Sequence, residues 1–257
     1  MIIAPVFYFF AHLFAPSGPT TAIVPVTALP VTDTLVKYVY LSFDDGPLQG
    51  TANCVAICAH QKVEASFFEI GLHQSRSAYA RNMYSRIQND SAFALCNHSY
   101  SHANGKYVQF YHQPDTAFAD FMLAKNILRP KNNIIRLPGN NAWNTNQSKR
   151  ASGLVKPIVH KLDSAGFNII GWDLEWHFNK KGRPVQSAQR MANLVDTLFA
   201  HNQTMTKNHL VILMHDHMFG ASADSAKLAT MVALLKANPH YQFRKITQYP
   251  GLKNGGR

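Results

Sequence analysis

Apolar and polar positions alternate with two different periods along most of the chain. Short runs rich in β-branched and aromatic residues recur from Val36 onward, and longer segments with apolar residues three and four positions apart separate them. The short runs predict strands at Val36–Phe43, Glu64–Ile70, Phe93–Asn97, Asn133–Leu137, Asn168–Asp173, Leu210–His215 and Tyr241–Ile246. The longer segments predict helices at Thr51–Gln61, Gln74–Asn89, Asp115–Leu128, Leu154–Ala165, Ser187–His201 and Ala223–Ala237.

This alternation predicts an α/β fold with a parallel sheet. Seven strand–helix units in about 220 residues favour a distorted or incomplete (β/α) barrel of seven to eight strands. The sequence contains no internal repeat and no low-complexity linker beyond position 35. We therefore expect one domain over residues 36–257.

The first 35 residues differ in composition from the rest. Residues 2–15 read IIAPVFYFFAHLFA, and a segment rich in Pro, Thr and Ala follows. This pattern resembles a secretory signal and is too short and too broken by proline for a membrane span, although no Lys or Arg precedes Lys37. We expect a leader and linker that export the chain or anchor it at a membrane; the alternative is an apolar strand that packs on the domain.

The charge balance is strongly basic. The chain has 25 Lys+Arg against 14 Asp+Glu, a formal net charge of +11. The basic residues are scattered, and the densest cluster, residues 149–161, lacks the interleaved aromatic residues that stack on bases. This predicts no nucleic-acid partner and favours anionic surroundings, such as a cell wall or a membrane surface. The three cysteines are too few for a disulfide framework.

Polar residues lie at the C-terminal ends of the predicted strands. Because the carboxyl ends of barrel strands meet on one face, these residues are expected to share a pocket. They are Asp44, Asp45, His98, Arg136, Asp173 and His215.

Two of these segments carry metal-binding and acid–base residue types. Of the adjacent carboxylates Asp44 and Asp45, one can bind a metal while the other stays free as a base, although both could simply cap the next helix. His98 and His102 are four residues apart, which would place both imidazoles on one face of a helical turn. Two imidazoles and one carboxylate suit a zinc ion with positions left open for water and substrate; a chance pair among 13 histidines is the alternative.

The segments Phe43–Pro47 and His98–His102 resemble the first two motifs of the polysaccharide deacetylase family, also called the NodB-homology domain or carbohydrate esterase family 4. Their order and separation match, and the likeness extends over nearly all of Val36–Ile246. The resemblance implies a distorted (β/α) barrel.

The same resemblance implies a role for each of these residues. Asp45, His98 and His102 would hold a divalent metal, and Asp44 would be the general base. Zinc is the expected ion, and cobalt or nickel would also suit imidazole and carboxylate ligands.

The third matching segment departs from the family pattern. The family has Arg-x-Pro followed by an aromatic residue and then glycine, and here Arg136 and Pro138 are followed by Gly139 and Asn140. The resemblance implies that Arg136 orients the base and that a backbone N–H beyond Pro138 binds the oxyanion. The N–H of Gly139 keeps that donor, whereas the aromatic wall of the substrate groove is missing.

The fourth segment leaves two carboxylates open. Glu175-Trp176 matches the family's Asp-Trp pair, which implies a carboxylate that supports the catalytic histidine and an indole that lines the acetyl pocket. Asp173 is a rival for the carboxylate because it lies two residues away on the same face of a continuing strand. Trp172 and Trp176 are equally compatible with the core.

The fifth segment matches the family's Leu-x-His. The resemblance makes His215 the general acid and Leu213 part of the acetyl pocket. A neighbouring carboxylate would fix the tautomer of His215 and raise its pKa. His217, two residues further on, is expected to be a solvated loop residue.

Together these residues predict a metal-dependent hydrolase that removes acetyl groups from N-acetylated sugars. The expected substrate is N-acetylglucosamine in peptidoglycan, chitin-type oligomers or exopolysaccharide. An amidase for a small non-sugar amide is one alternative, which the altered third and fourth segments would permit. A non-catalytic polysaccharide-binding relative is the other, and the presence of base, metal ligands and acid argues against it.

Overall fold

The structure is a computed structural model and describes residues 35–253. The predicted leader up to position 34 lies outside these residues. Between positions 35 and 253, no helix has both the length and the apolar composition of a membrane span.

Within residues 35–253, ten strands form a single curled sheet. The central pairs are parallel, and only β5 is antiparallel to its neighbours β6 and β7. The order is β6-β5-β7-β4-β3-β2-β1-β9-β8, with β10 beside the start of β1. The predicted incomplete (β/α) barrel is confirmed. The strands are β1 Lys37–Asp44, β2 Ala65–Glu69, β3 Phe93–Asn97, β4 Ile134–Ile135, β5 Trp143–Asn144, β6 Lys149–Arg150, β7 Asn168–Ile169, β8 Leu174–Glu175, β9 His209–His215 and β10 Tyr241–Phe243.

The helices begin and end at residues suited to these positions. Ser77 and Ser187 accept from the backbone N–H three residues on and so cap α3 and α7. Lys62 and Arg129 terminate α1 and α5 in the left-handed conformation. The helices are α1 Thr51–Gln61, α2 Gly71–Gln74, α3 Ala78–Asn89, α4 Tyr107–Tyr111, α5 Pro114–Leu128, α6 Lys156–Ser164, α7 Ala188–Ala200 and α8 Ser222–Lys236.

The alternation of side chains along β1 places the candidate site. Leu41 and Phe43 belong to the cluster that packs the outer face of the sheet against α1, α7 and α8. Tyr40 belongs to a separate cluster inside the curl of the sheet, with Phe68 and Val211. Successive side chains of a strand point to opposite faces, so Asp44 shares the inner face with Tyr40. The inner face is therefore apolar at its base and polar where β1 ends.

Three predicted strands are at least three residues shorter in the structure. The segment predicted over Tyr241–Ile246 ends at Phe243 as β10. The segment predicted over Asn133–Leu137 has only two ladder residues, β4. The segment predicted over Asn168–Asp173 ends at Ile169, and the chain then leaves β4 to pair with β9 as β8. The pairing partner thus changes between Ile169 and Leu174, with consequences for the candidate site.

Candidate active site

The turn after β1 holds Asp45 in an unusual backbone conformation. Asp45 has φ 75°, a left-handed value that aspartate tolerates better than most residues. The imidazole Nδ1 of His73 lies 2.8 Å from the Asp45 carbonyl oxygen, within hydrogen-bonding distance. The Ile70 N–H donates to the Gly46 carbonyl at 2.9 Å and ties the turn to the end of β2. Asp44 and Asp45 consequently point to different partners.

Asp45 faces two imidazoles. Its Oδ1 lies 3.5 Å from His98 Nε2 and 3.1 Å from His102 Nε2, and one atom from each of the three residues falls within 4.8 Å of the others. Within residues 35–253, the buried Oδ1 atom accepts no hydrogen bond. Burial raises the pKa of Asp45, but the facing imidazoles of His102 and His98 outweigh it and hold that pKa well below its usual range.

The tautomer of His98 supports a cation at this point. Its Nδ1 lies 3.0 Å from the Arg136 carbonyl, an acceptor that places the proton on Nδ1. The Nε2 atom therefore faces the Asp45 carboxylate. Burial lowers the pKa of His98, but the carboxylates of Asp44 and Asp45 outweigh it and raise that pKa. The site thus favours positive charge between Nε2 and the carboxylate, so the residues present fit a divalent metal.

The two histidines come together without a helix, contrary to the sequence prediction. Ser99 has φ 70° and His102 φ 51°, so the intervening backbone is an irregular turn. Side chains stabilise it: Asn97 Oδ1 accepts from the Ser99 N–H at 2.8 Å, and Ser99 Oγ accepts from the His102 N–H at 2.9 Å. The imidazole centroids are 5.1 Å apart.

Asp44 is held by Arg136. The Arg136 Nη1 donates to Asp44 Oδ1 and to Ser42 Oγ, both at 2.8 Å. Its Nε and Nη2 donate to the carbonyls of Ile170 and Gly171. The guanidinium has no exposed surface, and its carbon lies 4.0 Å from the centroid of the Phe68 ring. Every donating nitrogen of Arg136 thus has a partner, and a fixed positive charge faces one oxygen of Asp44.

His215 lies beside Asp44 but lacks the predicted carboxylate partner. The two residues are paired in the β1–β9 register. His215 Nδ1 is buried and has no hydrogen bond within residues 35–253. The nearest aromatic neighbour is Phe178, whose ring centroid is 5.0 Å from that of His215.

Neither Asp173 nor Glu175 supports His215. Asp173 accepts from the backbone N–H of Met205 at 2.6 Å and of Val211 at 2.8 Å. Glu175 pairs instead with His177, whose Nδ1 lies 3.3 Å from Glu175 Oε1. Burial raises the pKa of Asp173 to about 6. Both carboxylates are engaged in these local contacts, and within residues 35–253 neither is a hydrogen-bond partner of His215 Nδ1.

The indole of Trp176 is also not where the resemblance placed it. It has no exposed surface, packs 5.6 Å from the Phe219 ring, and donates to the Gln186 carbonyl at 3.0 Å. Trp172 is the tryptophan near the base, with its ring 6.0 Å from the Arg136 guanidinium carbon. Leu213 is buried and, being two residues before His215, shares its face of β9.

The third segment shows why residue 139 is a glycine. Gly139 has φ 61°, and a Cβ built on it would lie 3.2 Å from the Tyr107 ring. Tyr107 therefore occupies the space of the missing aromatic side chain, and its ring lies 5.6 Å from that of His102. The Pro138 carbonyl accepts from Tyr111 Oη at 2.6 Å, which fixes the preceding backbone.

Two buried carboxyl groups that sequence reasoning missed lie behind the turn. Glu69 and Asp216 have no exposed surface, and a Cβ on Gly46 would meet an oxygen of each. Thr51 donates to Asp216. Burial raises the pKa of both groups, and the mutual repulsion of Asp216 and Glu69 raises that of Glu69 further. A glutamate that interrupts the apolar run of β2 was the available signal.

The fold and site define a class of protein: an incomplete (β/α) barrel with a candidate metal centre, a buried base and a histidine at the carboxyl ends of adjacent strands. Residues 32–151 match the polysaccharide deacetylase family. This match covers just under half of the chain and supports the resemblance of its first two motifs to that family.

Curated relatives are similar over most of the chain. A peptidoglycan-N-acetylglucosamine deacetylase of Bacillus cereus is 27% identical over 189 residues, which cover 70% of this chain and 60% of the relative. A chitin disaccharide deacetylase of Vibrio alginolyticus is 21% identical, with 82% of this chain and 71% of the relative covered. The match thus spans about 60% of the length of the Bacillus cereus protein.

Solved structures share the fold. The catalytic domain of a peptidoglycan N-acetylglucosamine deacetylase from Eubacterium rectale superposes with a TM-score of 0.62 at 22% identity, covering 91% of this chain and 100% of that domain. A carbohydrate esterase of family 4 from Streptococcus mutans gives 0.61 at 22% identity, covering 81% of this chain and 85% of that chain.

Proposed function

We propose that the protein is a metal-dependent deacetylase of N-acetylglucosamine polymers. The observation that supports this most is the arrangement of two adjacent carboxylates with separate partners. Asp45 faces His98 and His102, while Asp44 is held by Arg136. An enzyme that hydrolyses an amide needs this separation of an electrophile-binding group from a base.

The metal site is assigned to Asp45, His98 and His102, with zinc as the expected ion. When bound there, a divalent cation supplies Lewis-acid polarisation of the acetyl carbonyl and acidifies water.

The chain's own residues then move the protons. Asp44 accepts a proton from the attacking water; Arg136 fixes one of its oxygens and leaves the other, Oδ2, 3.6 Å from His98 Nε2. The Gly139 N–H is proposed to donate to the oxyanion. His215, next to Asp44 across the β1–β9 ladder, donates a proton to the departing sugar amine.

The polymer is proposed from the relatives and the charge. The similar curated proteins are named for peptidoglycan N-acetylglucosamine and for chitin disaccharide. The net charge of +11 suits an anionic envelope polymer such as peptidoglycan. Export, or association with the cell wall or a membrane surface, follows as part of the same proposal and depends on the apolar segment at residues 2–15.

The test is acetate release from N-acetylglucosamine oligomers and from peptidoglycan. The expected result is one free amine formed for each acetate released, with His215→Asn slower by about 10²-fold or more because the leaving amine is no longer protonated. A protein that released no acetate from either substrate but hydrolysed small non-sugar amides would overturn the proposal.

A further inference from the structure

A hairpin after β8 projects an aromatic side chain over the candidate acid. The Val185 N–H donates to the His177 carbonyl, and the Asn179 N–H donates to the Arg183 carbonyl, both at 2.9 Å. Phe178 forms an isolated antiparallel bridge with Pro184. The segment His177–Gln186 is thus an ordered hairpin, called the 177–186 hairpin below.

Three contacts attach the 177–186 hairpin to the barrel. The buried Trp176 indole donates to the Gln186 carbonyl at its base. The Arg183 Nε donates at 2.7 Å to Asp224, a buried residue of α8. A Cβ on Gly182 would lie 3.0 Å from the His217 imidazole, so the hairpin tip rests on that ring. His217 is accordingly a partly buried contact residue, and its prediction as a solvated loop residue was wrong.

Phe178 is consequently held in one place. Its ring centroid lies 5.0 Å from that of His215 and 4.6 Å from that of His217, with interplanar angles of 76° and 86°. The side chain is nevertheless among the exposed large hydrophobics of residues 35–253, at 42% relative exposure. An apolar ring that is fixed on one side and open to solvent beside reacting groups is suited to contact a ligand.

The exposed aromatic ring of Phe178 indicates which kind of ligand surface would pack against it. The apolar C–H face of a pyranose carries positive partial charge and packs on the negative face of an aromatic ring. Residue 139 offers no aromatic side chain for this purpose, because Tyr107 fills that space.

We propose that Phe178 is a specificity-determining residue that stacks against a sugar ring next to the one being deacetylated. The inference rests on the proposed deacetylase function and adds the position of a neighbouring sugar. Phe178 makes no covalent or proton-transfer contribution. It should therefore affect the binding of oligomers more than the turnover of bound substrate, and it should not affect a substrate that consists of the acetyl group on a small leaving group.

The test compares KM and kcat for acetate release from N-acetylglucosamine oligomers by the full chain and its Phe178→Ala variant. Expected are a KM about tenfold higher, a kcat within about twofold of wild type, and recovery of KM in Phe178→Tyr. Val185→Ala is the matched control, because Val185 is exposed on the same hairpin. Turnover of 4-nitrophenyl acetate serves as the check that the reacting groups are intact.

Each other outcome counts against the inference. An active wild type with an unchanged KM in Phe178→Ala would overturn the stacking role alone. A lower kcat on both substrates together with a shifted pH profile would show that Phe178 instead positions His215. A wild type that releases no acetate from any oligomer would overturn the proposed function itself, and the sugar-stacking role with it.

Discussion

At the residue scale, Arg136 determines how Asp44 is presented. Its guanidinium is fully buried and donates to Asp44, Ser42 and two backbone carbonyls. Arginine keeps its charge when it is buried, and its planar guanidinium can form these hydrogen bonds in few other orientations. One oxygen of Asp44 is therefore fixed, and the other is left for chemistry.

The separate roles of the adjacent carboxylates can be tested with matched amide variants. Asp44→Asn should lower kcat for acetate release by about 10²- to 10⁴-fold, because the base is lost, and should still bind zinc. Asp45→Asn should lose bound zinc, because one of three ligands is replaced by a neutral group. Zinc content by mass spectrometry separates the two, and full activity in Asp44→Asn would refute the assignment of the base.

The buried pair Glu69 and Asp216 predicts a pH dependence of stability. Burial raises both pKa values above those of the unfolded chain. A carboxyl group whose pKa is higher in the folded protein than in the unfolded chain contributes its full stabilisation below the unfolded pKa, which is about 4. That contribution is lost as the pH rises through the folded pKa. We expect the free energy of unfolding of the metal-free protein to fall between about pH 4 and about pH 8, where Asp216 titrates in the folded protein.

Glu69→Gln should reduce this fall, since an amide has no proton to lose and no longer repels Asp216. Glu64→Gln, at a partly exposed glutamate beside Lys245, is the matched control and should retain the wild-type slope. Urea unfolding at several pH values measures the effect. Equal slopes in all three proteins would rule out the carboxyl pair as the cause.

At the element scale, the turn between β1 and α1 depends on the absence of a side chain at Gly46. A Cβ there would lie 2.8 and 2.9 Å from the two oxygens of Glu69 and would also overlap Asp216. Gly46→Ala should cost about 1–3 kcal/mol of stability by overpacking and should lower zinc affinity through Asp45. Gly153→Ala has open space around its Cβ and should stay within about 1 kcal/mol of wild type. Denaturant unfolding of both variants checks this, and equal stabilities would contradict it.

Elements with strong local patterns were predictable. The segments Thr51–Gln61 and Phe93–Asn97 form a helix and a strand at the predicted bounds. The turn that joins His98 to His102 was not predictable, because it depends on Asn97, whose side chain also donates to the Phe121 carbonyl. A contact between residues so far apart leaves no mark on the local periodicity.

At the scale of the whole molecule, the parallel arrangement of the strands explains why residues of the candidate site could be predicted from the sequence. Asp44, His98 and His215 lie at the carboxyl ends of strands that are neighbours or near neighbours in the sheet, and these ends meet at one face. Asp173, Glu175 and Trp176 make other contacts than their predicted roles require. Between β7 and β8 the pairing partner of the chain changes from β4 to β9. A short apolar run in the sequence does not indicate which strand it pairs with.

The most direct test of the account is acetate release from N-acetylglucosamine oligomers before and after complete chelation. We expect the rate to fall to background when the metal is removed and to return when zinc is added back, because Asp45, His98 and His102 converge on a single ion. The His102→Ala variant should not recover to the wild-type rate at the same zinc concentration. Acetate release that continued at full rate in the metal-free protein would contradict the account.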